Sequence, residues 1–203
     1  MRLEVPFYIN KYLDCGPVAL RMVLDYFGNK LTEQQVKDKI QSEKSGATPT
    51  VSLALAARQL GFKSKFFSIK LGFNPEHFKL DFYKKVTEGQ EAHKNFIEDI
   101  FQKCIQSKVE MEEKSLSLNE LLLLLSKDSI PIVLIDWNII INREGYQGHI
   151  VPIVGYDEDH VYIHQPGPSN PQPFMPIKRE LFDKARKAQG TDEDVAVIYR
   201  KPQ

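Results

Sequence analysis

The chain has 203 residues, 42% of them hydrophobic and 27% charged, with 27 basic against 27 acidic side chains. That length suits a single domain with a buried core, and the composition excludes a disordered, collagenous or coiled-coil chain. The balanced charge argues against a nucleic-acid-binding or membrane-surface protein, and two cysteines, Cys15 and Cys104, are too few for a disulfide scaffold. The N-terminus lacks the apolar run of a signal peptide. The longest apolar stretches, residues 121–125 and 130–135, are too short to span a membrane. A soluble cytoplasmic protein is the expectation.

The N-terminal third reads as helical. Val18, Ala19, Met22, Val23, Tyr26 and Phe27 fall on one helical face, and Gly28 follows as a stop. Thr32 and Gln35 match a capping box ahead of Val36 and Ile40. A third short helix over 51–60 is closed by Gly61. Residues 72–115 are charged and poor in β-branched side chains. Within them Phe96, Ile97, Ile100, Phe101, Cys104 and Ile105 line one face of a single amphipathic helix. His77 and His93 of this segment read as surface residues. Ser117 and Glu120 form a second capping box, opening a Leu-rich helix to about residue 126.

Strands dominate the last third. Residues 130–137 are a short apolar run, as in a buried strand. Residues 149–156 and 160–164 are joined by Asp157-Glu158-Asp159 and predict a hairpin. Residues 195–199 alternate at period two, and a helix near 179–187 lies between. Helices first and mostly adjacent strands later predict an α+β fold rather than alternating βαβ units. The domain divides into a helical half (about 1–70), a helical insertion (about 72–115) and a helix-plus-sheet half (about 116–203). Five prolines between 166 and 176 keep that stretch extended, either as a rim of the site or as a plain connector.

The segment Asp14-Cys15-Gly16-Pro17 carries the most chemistry. Cys15 sits where a loop becomes a helix, and Pro17 suits a first helical turn. The positive end of the helix dipole favours a thiolate there, and the thiolate is the nucleophile. Asp14 opposes this unless its side chain points aside. The alternative is a buried structural cysteine, and core packing is the reading for Cys104. A thiol needs a base, and His149, at the mouth of the apolar strand after Gly148, is the best placed histidine. Its tautomer needs an orienting partner. An antiparallel neighbour would bring His164 or Gln165 beside it, with Asp136 in reserve and Asp157 read as hairpin filler.

These segments resemble the C39 and C39-like family of papain-fold cysteine peptidases. The carrying residues are Val5-Pro6-Phe7-Tyr8, Asp14-Cys15-Gly16-Pro17, Gln59-Leu60-Gly61-Phe62, Gly148-His149-Ile150-Val151-Pro152 and Ile163-His164-Gln165-Pro166-Gly167. The resemblance implies a papain-like fold with the nucleophile on a helix and the base on an antiparallel sheet. It implies Cys15 as nucleophile, His149 as base and a peptide or protein substrate. Two positions depart from the family. No glutamine precedes Cys15, so Asn10 is the candidate oxyanion-hole amide, and Gln165 stands where an aspartate is usual. A thiol amide hydrolase is therefore set beside two alternatives: a weakened peptide-binding module, and another acyl transfer such as deamidation or transpeptidation. No phosphate-cradling glycine loop or zinc-ligand spacing occurs, so neither cofactor nor metal is expected.

Overall fold

The computed structural model describes residues 1–10 and 14–201. Helix α1 (Cys15–Tyr26) begins at the nucleophile candidate and ends ahead of Gly28, whose φ of +86° suits glycine. Both capping boxes form, opening α2 (Glu33–Lys37) and α6 (Leu118–Leu123). Helix α3 (Thr50–Gln59) is buried along nearly its whole length. Downstream come strand β1 (Lys63–Ser68), a 3-10 turn at Pro75–Lys79, and helices α4 (Asp81–Val86) and α5 (Gln90–Gln106). Strand β2 (Glu110–Glu113) closes that segment, so residues 72–115 are not helical throughout.

The remaining elements are β3 (Ser129–Asp136), α7 (Trp137–Ile140), β4 (Gly148–Tyr156), β5 (His160–Gln165), β6 (Gln172–Lys178), α8 (Arg179–Arg186) and β7 (Val195–Tyr199). They complete a seven-stranded sheet of order β2-β1-β7-β3-β4-β5-β6. Every neighbouring pair is antiparallel except β1 with β2. The fold is α+β, as the order of elements predicts. Helices α1 and α3 pack on the sheet, with α5 against α3, and α8 packs on β3, β5 and β6.

The apolar run of residues 130–137 extends one residue past the strand. Asp136 ends the strand, because its carboxylate accepts from the Asn138 backbone N–H at 3.0 Å and caps α7. Strand β4 is buried from His149 to Gly155 because elements cover both of its faces. Gly155 makes room for the N-terminus: a Cβ there would lie 2.8 Å from the Met1 carbonyl oxygen. Among the described residues no helix is long and apolar enough to cross a membrane.

Candidate active site

Cys15 is the first residue of α1, and its sulfur faces the backbone N–H groups of Ile150, Gly16 and Cys15 itself. Ile150 follows His149 in β4, so α1 is delivered against the mouth of that strand. Gly16 permits the approach, since a Cβ there would meet Thr48 at 3.2 Å and Ile150 at 3.3 Å. Burial pushes the Cys15 thiol above its ordinary value, and the three N–H groups only partly offset this. Asp14 occupies the N-cap position without capping the helix by its side chain. Its carboxylate turns to Lys37, 2.7 Å away, which compensates much of the charge beside the thiol.

His149 is 8% exposed, and its Nε2 lies 3.0 Å from Oε1 of Gln165. Burial lowers its pKa to about 4, with the Gln165 contact acting the other way. The Trp137 ring lies 5.1 Å from the imidazole, centroid to centroid, and helps keep water off it. Gln165 is itself held on three sides. Its Oε1 accepts from Gly167 N–H at 2.7 Å, and its Nε2 donates to the Ser169 and Asn170 carbonyls at 2.6 and 3.3 Å. A register irregularity in the β5–β6 pairing, between Ile163 and Gln165, accompanies the burial of two successive polar residues, His164 and Gln165.

His164 serves the fold rather than the site. Its Nε2 meets the Val5 carbonyl, and its Nδ1 accepts from Phe174 N–H. Asp136 caps α7 and also accepts from Gln147 N–H, while Asp157 binds the hairpin backbone and Tyr162. Of the candidate partners, Gln165 makes the contact. Asn10 is 2% exposed. Its Oδ1 accepts from Asp14 N–H at 3.3 Å, and its backbone N–H donates to Pro166 at 2.7 Å, tying the stretch before Cys15 to the loop after Gln165.

Cys15, His149, Asn10 and Pro168 all line one cavity of about 160 Å³. Its far walls include His77 and His93, whose charged sequence surroundings predict a surface position. His93 is 5% exposed and its Nδ1 pairs with Glu43. His77 stacks on Tyr83 at 4.3 Å, with Nε2 3.0 Å from Asp192. Both histidines contact acidic partners distant in sequence, and His93 is buried. One signal was present: Phe73, Phe78, Phe82 and Tyr83 crowd a short stretch that is otherwise charged. Cys104 is fully buried, and burial pushes its thiol up to about 12. Among the described residues no group of three His, Cys, Asp or Glu side chains is arranged to hold a metal ion.

Over residues 8–198 the sequence matches the family described as guanylylate cyclase. The chain belongs to that guanylylate cyclase family. A curated relative, Guanylyl cyclase 1 of Arabidopsis thaliana, is 26% identical over 200 residues, covering 91% of this chain and 71% of the relative. Solved structures similar to this guanylylate cyclase family chain are peptidase domains. A putative C39-like peptidase from Bacillus anthracis has a TM-score of 0.58 at 15% identity, covering 98% of this chain and 96% of that one. A double glycine motif protease from an AMS/PCAT transporter, solved in complex with the leader peptide, has a TM-score of 0.53 at 18% identity, covering 99% and 94%. The fold is thus that of C39-like peptidases, while the sequence family is a different one.

Proposed function

We propose that this protein is a thiol-dependent amide hydrolase of cysteine-peptidase type, with Cys15 as nucleophile and His149 as general base. The observation that carries the reading is the His149 Nε2 contact to Gln165 Oε1. With Nε2 engaged as the N–H donor, Nδ1 is the basic nitrogen, on the opposite side of the ring. The cavity onto which both Cys15 and His149 open supports the same pairing.

The Cys15 sulfur attacks the substrate carbonyl carbon as its proton passes to His149. The oxyanion takes a hydrogen bond from the Cys15 backbone N–H, with Asn10 as the candidate second donor. His149 then gives the proton to the leaving amine as the carbon–nitrogen bond breaks, and water hydrolyses the thioester. Burial pushes the thiol up and the imidazole down, and both directions favour general-base attack over a standing ion pair. Gln165 orients the ring without a full negative charge, so it stabilises the imidazolium less than an aspartate would.

The name of the Arabidopsis relative motivates a second reading, cyclisation of GTP. Among the described residues that line the cavity, Lys70 is the one Lys or Arg, which is little positive charge for a triphosphate. The deciding experiment incubates wild type and Cys15→Ala in parallel with a fluorogenic peptide-amide library and with GTP. Amide cleavage lost in Cys15→Ala supports the hydrolase. Cyclic GMP formation that survives the substitution refutes it, and peptide binding without turnover in both proteins marks a binding module.

A further inference from the structure

We propose that the cavity beside Cys15 is a chamber for one ring-sized apolar group of the substrate, adjoining the carbonyl that is attacked. The inference rests on the hydrolase reading and names the substrate class of the same site. A cavity of about 150 Å³ with apolar walls takes up a single benzene, and this one measures about 160 Å³. One aromatic or branched side chain matches that volume.

The walls suit such a guest. Phe66, Phe73, Phe82, Tyr83, Phe101 and Tyr146 all reach the cavity. The two tyrosine hydroxyls donate to the same Gly190 carbonyl, at 2.6 and 2.8 Å, so their polar ends are engaged in the wall. The rings of Tyr83 and Tyr146 stack at 5.8 Å, and Phe82 meets Tyr146 edge-on at 5.3 Å. Several polar lining groups contact one another: Glu43 with His93 Nδ1, and Asp192 with His77 Nε2 and with Asn74 Nδ2 at 2.8 Å. Burial and the neighbouring Asp192 push the Asp194 carboxyl well above the ordinary carboxylate range, while hydrogen bonds with Ser68 and Thr50 act the other way. Most of the aromatic wall belongs to residues 72–101, which makes that segment the selectivity element of the site.

The test compares alkylation of Cys15 by N-benzyl-2-chloroacetamide and N-methyl-2-chloroacetamide, each rate divided by its rate with free cysteine. The chamber predicts a preference for the benzyl reagent of about tenfold or more, the worth of burying one ring. Val86→Trp fills the chamber and abolishes the preference. Ala47→Leu does so partially and serves if the first variant misfolds. A second measurement, ligand-observed NMR on Cys15→Ser, asks whether benzamide binds and acetamide does not. Equal alkylation rates at Cys15 overturn the chamber and leave the hydrolase reading standing. Failure of both reagents, with benzamide still bound, supports the chamber and defeats the reactive-thiol reading. Absence of benzamide binding overturns the chamber.

Discussion

The two ends of the cavity are built differently. At the catalytic end each residue stands at the boundary of an element with its own local signal: Cys15 opens α1, His149 lies at the start of β4, and Gln165 closes β5. At the aromatic end the contacts join distant stretches, as in Tyr83 with Gly190, Asn74 with Asp192, and His93 with Glu43. In the proposed reading, chemistry is tied to the frame of the fold, whereas selectivity depends on how residues 72–101 pack over it. Substitutions at the first end should change rate for every substrate, and substitutions at the second should change which substrate is preferred.

The sharpest contrast is expected at the nucleophile. Cys15→Ala should lose about 1,000-fold or more in amide turnover while keeping its circular dichroism spectrum and its benzamide binding. Turnover that survives would place the chemistry elsewhere. Gln165→Ala should come next, with about 10- to 100-fold lower kcat. It also leaves the Gly167 N–H and His149 Nε2 without their acceptor, which costs about 1–3 kcal/mol in denaturant unfolding. Loss of stability with unchanged kcat would reduce Gln165 to a loop anchor.

Titration separates the two roles further. His149 must be neutral to act as base, and burial lowers its pKa to about 4. Activity should therefore stay level as pH falls through the ordinary histidine range near 6.5 and decline only towards pH 4. The same depressed value makes the unfolded state bind more protons between about 4 and 6.5, so His149 contributes a stability that rises with pH across that window. Gln165→Asp puts a carboxylate beside the ring, raises the imidazole pKa and moves the acid limb of the rate profile upward. An acid limb already near 6.5 in wild type would contradict the burial argument. The smallest effect belongs to Cys104→Ala, which should cost about 1 kcal/mol of core packing and leave turnover unchanged.

The same contrast explains what the sequence revealed. Helices α1, α2, α3 and α6 carry caps or glycine stops, and the β4–β5 hairpin carries its turn, so their positions were legible. So was the approach of Gln165 to His149, because adjacent antiparallel strands bring such residues together. Strand β2 was not: its sequence Glu-Met-Glu-Glu has no strand signal and pairs with β1 under cover of the Lys63–Glu110 and Lys65–Glu112 bridges. Strand β6 was hidden by Pro173 and Pro176, which an edge strand tolerates. His77 and His93 looked like surface residues because their partners, Asp192 and Glu43, lie far away in the chain.

The most direct measurement of the central claim is mass-spectrometric trapping of the acyl-enzyme. Wild type, His149→Ala and Cys104→Ala are mixed with p-nitrophenyl phenylacetate and quenched in acid, and the modified peptide is sequenced. The account predicts a phenylacetyl thioester on Cys15 in wild type and in Cys104→Ala, formed about 100-fold more slowly in His149→Ala. Acylation elsewhere, or acylation of Cys15 at the same rate without His149, would contradict it.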